Sequence, residues 1–143
     1  IYLATQSKCV IQFTSGIGPT LVSVDEKVLR QILVNLLSNA VKYSAAGTTV
    51  TFDLEMEAEH TIFRIQDQGI GIPASDQIHL FEPFYRASNV RGIEGTGLGL
   101  AIVKRYVDAC QGAIALSSQV NSGTVFSVRL PLPPIANELL PEH

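Results

Sequence analysis

Asn35, Asn39 and Lys42 stand four and then three positions apart, with Tyr43 next in line. On a helix that spacing puts the two amides and the ammonium on one sector. Asn is a poor helix-interior residue, because its amide competes for nearby backbone groups. Two of them a turn apart call for a compensating partner outside the helix; the alternative is an ordinary solvated face. An amide oxygen suits a hard cation that draws most of its ligands from elsewhere. Lys42 can reach a phosphate as a point charge, and Tyr43 can lie against a flat ligand. Further along, the run DQGIGIP from Asp67 to Pro73 sets a carboxylate beside glycine backbone that can approach a flat ring closely. An Asx-type turn, with Asp67 capping its own backbone, is the structural alternative. The run GTGLGLAIVK from Gly95 to Lys104 leads into a helix, so its amides and the helix N-terminus form an anion site. The three stretches supply the parts needed to recognise a base and to neutralise a polyphosphate.

Two familiar phosphate motifs are excluded. GTGLGLA satisfies the dinucleotide string G-x-G-x-x-G/A, but that motif must follow a buried strand directly. Here Ser88 to Glu94 is polar and loop-like. No G-x-x-x-x-G-K-[ST] string occurs either. The formal net charge of −3, with basic residues scattered, argues against a nucleic-acid surface. Apolar stretches are interrupted well short of the roughly 20 residues a membrane span needs, and no signal-peptide pattern opens the chain. Cys9 and Cys110 have no metal-ligand spacing, so they read as reduced, buried thiols in a cytosolic setting. Ile1 without a Met predicts a piece of a longer protein. At 143 residues the chain suits one domain with a real core.

The elements that must position these groups follow from pattern. Residues 1–7 read as the remnant of a preceding helix or linker, 8–131 as the domain, and 132–143 as a Pro-rich, acidic tail or linker. Lys8 to Thr14 alternates as a strand, followed by a turn at Gly16 to Pro19 and a short strand at Leu21 to Val24. Asp25 is the N-cap of a long helix ending at Ala45 to Gly47, with Leu29, Leu33, Leu36, Leu37 and Ala40 as its apolar sector. Thr48 to Glu57 and Thr61 to Asp67 form a hairpin turning at Glu59 and His60. A short helix fits Pro73 to Leu80, and Arg86 to Glu94 is a candidate mobile loop. A second helix spans Leu98 to Gln111, closed by Gly112. A last hairpin, Ala113 to Gln119 and Thr124 to Leu130, turns at Asn121 to Gly123. This order predicts an α/β two-layer sandwich: a mixed, mostly antiparallel sheet with helices packed on one face.

Together with the aromatic box LFEPFYR at Leu80 to Arg86, these stretches resemble, in order and spacing, the nucleotide-binding boxes of the histidine-kinase catalytic and ATP-binding domain, a Bergerat-fold module of two-component sensor kinases. The resemblance covers roughly Lys8 to Pro131. It implies that Asp67 accepts a hydrogen bond from the exocyclic amine of adenine, and that Asn39 holds Mg²⁺ on bound ATP. By the same resemblance Lys42, Tyr43, Gly69, Gly71, Ile72, Gly95, Thr96, Gly97, Leu98, Gly99, Leu100 and Thr124 surround the nucleotide. Arg86, and on a weaker match Arg91, reach the γ-phosphate. Phe81 and Phe84 seat the loop or join the core.

The resemblance also bears on the reaction. Hydrolysing relatives carry a Glu one turn before the metal-binding Asn, to activate water. This chain has Asn35, as histidine kinases do, and an amide cannot take a proton from water. The resemblance therefore implies transfer of the γ-phosphoryl group to a His, leaving ADP, with Asn35, Lys42 and Arg86 as catalytic positions. His60, His79 and His143 lack the acceptor's context of an acidic residue and then a Pro on a helix. The implied partners are a His-containing helical dimerisation domain of the same parent and, downstream, a response-regulator receiver domain, with no nucleic acid and no membrane contact from this piece. A cytoplasmic location is implied. An anti-sigma-factor-type Ser/Thr kinase, a non-catalytic nucleotide-sensing module and, more distantly, an ATPase with its base supplied elsewhere remain as alternatives.

Overall fold

The computed structural model describes residues 10–15, 22–90 and 97–133. Strand β1 (Val10–Ser15) leads to helix α1 (Glu26–Tyr43), then β2 (Thr49–Glu57) and β3 (His60–Gln66). A one-turn helix α2 (Ala74–Gln77) and a 3₁₀ turn (Ser88–Val90) precede α3 (Gly99–Ala109), β4 (Ala113–Gln119) and β5 (Gly123–Leu130). The five strands form one sheet in the order β1-β2-β3-β5-β4. β1 runs parallel to β2, which α1 makes possible as the crossover. Every other pairing is antiparallel. The sheet is therefore mixed and mostly antiparallel, as expected.

α1 starts where Asp25 accepts hydrogen bonds from the amides of Lys27 (2.9 Å) and Val28 (3.4 Å). It ends at Ser44, whose backbone N–H returns to the Ala40 carbonyl at 3.1 Å. Alternation sorts the strands into faces. Val50, Phe63, Ile65, Phe126, Val128 and Leu130 join Ile32, Leu36, Ala40 and Val41 of α1 and Val103 and Val107 of α3 in one core. The opposite face is polar, with Arg64 paired to Glu55 at 2.9 Å. Both long helices thus lie on one side of the sheet.

Several details differ from expectation. β1 runs to Ser15, and residues 22–24 contain only an isolated bridge at Val22. Lys8, the turn at Gly16 to Pro19, Leu21, Arg91, the tail beyond 133 and Cys9 lie outside the described residues. The deepest residues of α1 include Ile32 and Val41, while Leu29, Leu33 and Leu37 sit at its margin. After α3 the left-handed residue is Gln111 (φ 60°), not Gly112. Gly112 is required instead by contact, since a Cβ there would stand 2.5 Å from the Arg129 carbonyl oxygen. Cys110 is a free thiol, only partly buried. Leu132, one residue past the expected boundary, packs into the core and accepts a bond from the Thr61 hydroxyl at 3.0 Å. No helix among the described residues is long and apolar enough to cross a membrane.

Candidate functional site

A cavity of about 470 Å³ opens between α1, α3 and the ends of β3 and β5, within the size range of small-molecule sites. One wall is α1, which contributes Asn35, Ser38, Asn39, Lys42 and Tyr43. The helical spacing thus does turn its polar sector onto a cavity. Asn35 bends its amide nitrogen back to the Gln31 carbonyl at 2.7 Å, the local competition that makes Asn costly in helices. Its oxygen points towards the start of α3, 3.3 Å from where a Cβ on Gly99 would stand. The Lys42 ammonium lies 5.4 Å from the Tyr43 ring centroid, within cation–π range.

The floor is the end of the sheet, where Asp67, Thr124 and Phe126 face in. Asp67 is only 7% exposed. Its Oδ1 accepts from the amides of Gly69 (2.9 Å) and Thr124 (3.2 Å), while its own N–H donates to the Thr124 carbonyl (2.9 Å). The Asx-type turn weighed against a binding role is therefore real, but it engages Oδ1. Burial pushes the Asp67 carboxyl above its ordinary 3.8, against the opposing pull of these two amides.

Gly71 and Ile72 line a second wall with Ile70. Gly71 has φ +70°, and a Cβ there would sit 2.0 Å from the Gln119 carbonyl oxygen, so no other residue fits. Gly69 stands outside the cavity lining, pressed on the Tyr43 carbonyl and donating to Asp67. At the top, Gly97, Leu98, Gly99 and Leu100 line the mouth beside Arg86. Gly97 takes φ +75° and accepts a bond from the Phe84 N–H at 3.0 Å, tying the aromatic box to the start of α3. Gly95, Thr96 and Arg91 lie outside the described residues. Phe81 joins the core, edge-on to Phe126 with centroids 6.5 Å apart, whereas Phe84 is 72% exposed.

Sequence reasoning missed Ser38, Ile70, Leu80, Tyr85, Ala87, Ile102 and Phe126, which complete the lining. Most are apolar residues of a kind found throughout the chain; for Phe126 the alternation of β5 is a signal that could have pointed it inward. It also missed Asp76, a buried carboxylate on α2 that accepts from the Tyr85 hydroxyl (2.5 Å) and from the Ser88 amide (3.0 Å) and hydroxyl (2.9 Å). These bonds, that from Tyr85 foremost, hold its carboxyl below the ordinary range. They fasten the segment that carries Arg86. Among the described residues no group of three His, Cys, Asp or Glu side chains comes together to hold a metal. The α1 wall offers neutral oxygen donors from Asn35, Ser38 and Asn39, a set suited to a hard cation that brings other ligands with it.

A two-layer sandwich with its cavity between the helical layer and the end of a mixed sheet is the Bergerat architecture. The chain belongs to the histidine kinase-, DNA gyrase B-, and HSP90-like ATPase family, whose profile matches residues 24–134. Over 109 residues it is 46% identical to the circadian input-output histidine kinase CikA of Synechococcus elongatus, a match covering 75% of this chain and 14% of that protein. It is 41% identical to the sensor histidine kinase WalK of Bacillus subtilis over 114 residues, 77% of this chain and 19% of the other. The chain thus spans less than a fifth of the length of these relatives. A mycobacterial sensor histidine kinase, MprB, has a solved structure that superposes with a TM-score of 0.82 at 32% identity, covering 94% of this chain and 91% of that one. Full-length ShkA, solved in complex with AMPPNP, gives 0.81 at 29% identity over 96% of this chain and 28% of that one.

Proposed function

We propose that this domain binds Mg-ATP and passes the γ-phosphoryl group to a His on a separate helical dimerisation domain. The observation that carries this reading is Asp67: a buried carboxylate on the cavity floor whose two backbone bonds both land on Oδ1, leaving Oδ2 for a ligand. A buried charge is costly unless bonded, and the exocyclic amine of adenine is the donor that suits it. Guanine carries a carbonyl at the corresponding position. From this floor the phosphates extend towards Asn39, Lys42 and Arg86, with Gly97 and Gly99 at the start of α3 supplying backbone donors. Asn39 would hold a magnesium ion brought with the triphosphate, and the ion would supply charge neutralisation there.

Transfer needs positioning and charge neutralisation more than acid–base work by this domain. An imidazole nitrogen attacks the γ-phosphorus, the bond to the bridging oxygen breaks, and ADP leaves as the imidazole loses its proton. Asn35 beside the cavity has no carboxylate to activate water, which favours transfer over hydrolysis. His60 and His79 do not line the cavity, which fits an acceptor brought by another domain. The names of the relatives support the same reading. A cytoplasmic location and a downstream receiver domain belong to it as well.

Calorimetric titration with ATP and GTP, with and without Mg²⁺, tests the site. Adenine-selective binding is expected, with a magnesium-dependent gain that Asn39→Ala abolishes. Equal binding of GTP, or an undiminished magnesium dependence in Asn39→Ala, would sink the assignment.

A further inference from the structure

Ser118 on β4 does not line the cavity, yet its hydroxyl sits among three groups whose roles can be assigned by counting protons. The Ile72 N–H donates to Ser118 Oγ at 2.8 Å. Ser118 Oγ donates to the Gly123 carbonyl at 3.0 Å. The third neighbour is Thr124 Oγ1, at 2.7 Å, where either oxygen could be the donor. A serine hydroxyl has one proton and two lone pairs. An amide N–H can only donate and a carbonyl can only accept, so Ile72 takes one lone pair and Gly123 takes the proton. The remaining lone pair can be filled only by the proton of Thr124. Reversing the last bond would leave Ser118 Oγ and the Gly123 carbonyl as two acceptors facing each other.

Ser118 and Thr124 are direct cross-strand partners, so they share a face of the sheet. Thr124, 5% exposed, lines the cavity beside Asp67 and gives Asp67 its backbone N–H. With its proton committed to Ser118, the Thr124 hydroxyl has only lone pairs left for the cavity. Gln77 braces the arrangement from outside, its Nε2 donating to the carbonyls of Ile72 (2.9 Å) and Ser118 (3.2 Å).

We propose that Ser118 is a positioning residue that fixes Thr124 as a hydrogen-bond acceptor, so that the base subsite presents two neighbouring acceptors, Asp67 and Thr124, and selects an amino group over a carbonyl at the 6-position of a purine. This rests on the ATP-binding reading and names what makes the subsite selective. Asp67 alone rejects a carbonyl at the 6-position. A freely rotating threonine beside it would blunt that rejection by turning its proton towards the intruder, and Ser118 removes this freedom.

The test compares Kd for ATP and for inosine triphosphate, which carries a carbonyl and an N1–H in place of the amino group and bare N1. Ser118→Ala releases Thr124. The preference for ATP then falls roughly tenfold, the size of one hydrogen bond changed from mismatched to matched. Ser118→Thr, which keeps the hydroxyl, retains the preference. In a Thr124→Val background Ser118→Ala changes nothing further. A merely structural role would weaken both nucleotides alike and leave their ratio unchanged, which overturns the proposal. Should Ser118→Ala fail to fold, Ser118→Gly, which also removes the hydroxyl, decides in its place: an unchanged ratio overturns the proposal, and a reduced one supports it. Failure of the wild-type chain to bind ATP at all would overturn the function proposed above and this inference with it.

Discussion

Two opposing influences meet on the Asp67 carboxylate. Burial raises its pKa above the ordinary 3.8, and the amides of Gly69 and Thr124 pull it back without cancelling the effect. A carboxyl whose folded pKa exceeds its unfolded value favours folding below the unfolded pKa and loses that contribution as pH rises through the folded one. Once ionised, Asp67 therefore works against the fold, while the proposed function needs that charge to accept from the base. Asp67→Asn keeps an oxygen for both amides and removes the buried charge. The melting temperature at pH 7 is expected to hold or rise while ATP affinity falls at least tenfold, in line with about 1.5–3 kcal/mol for a charge-assisted bond. Thermal melts beside calorimetry check this, and a variant that melts several degrees lower would show that the charge is structural. Asp67 was legible in the sequence because glycines crowd around it. Asp76 was not, because a single acid in a one-turn helix looks solvated, and its burial depends on Tyr85 and Ser88 folding back over it from nine and twelve residues on.

The elements set where a side chain is tolerated, and two glycines of the site differ sharply in this. Gly71 combines φ +70° with a carbonyl oxygen 2.0 Å from any added Cβ, and that oxygen belongs to the backbone of β4, which cannot turn aside. Gly99 opens α3 with ordinary helical backbone, and its nearest obstacle is the Asn35 amide oxygen at 3.3 Å. Gly71→Ala is expected to lose stability by more than the ~1–2 kcal/mol that left-handed backbone alone costs a non-glycine residue. Gly99→Ala should keep its stability, since alanine is the better helix former, yet bind nucleotide less well by crowding Asn35. Urea titrations of both variants separate the cases; similar losses in the two would mean that the glycines serve the backbone alone. The apolar stripe of α1 and both hairpins were readable from period and turn residues. The greater depth of Ile32 than of Leu29, Leu33 and Leu37 was not, because depth within the stripe depends on what packs over it and not on the helical period. The cross-strand meeting of Ser118 with Thr124 was equally hidden, since a serine in a β-rich run is commonplace and its proton count emerges only when β4, β5 and the Ile72 turn come together.

At the scale of the molecule, the strand order β1-β2-β3-β5-β4 puts the ends of β3 and β5 side by side at the centre of the sheet, which is why Asp67 and Thr124 meet although 57 residues separate them. Neither the parallel β1–β2 pairing nor this central adjacency follows from the strand pattern alone. The order of the glycine boxes pointed to it only through the resemblance they carry. The same arrangement carries the cavity lining from the sheet end to Arg86 and the start of α3. His79 keeps to the outside, in contact with Glu82 and stacked on Tyr85 at 5.1 Å, and His60 sits at the start of β3. Among the described residues no histidine lines the cavity, which fits the proposal that the acceptor is brought by another domain. Incubated alone with γ-labelled ATP, the chain is expected to turn over more slowly than roughly 1 s⁻¹, the lower end of ordinary enzymes, and to stay unlabelled. Adding the helical dimerisation domain of its parent should transfer label to that partner as an acid-labile, base-stable phosphohistidine. Acid-stable label would place the product on Ser or Thr instead, and fast turnover without any partner would mean that a base for water exists outside Asn35.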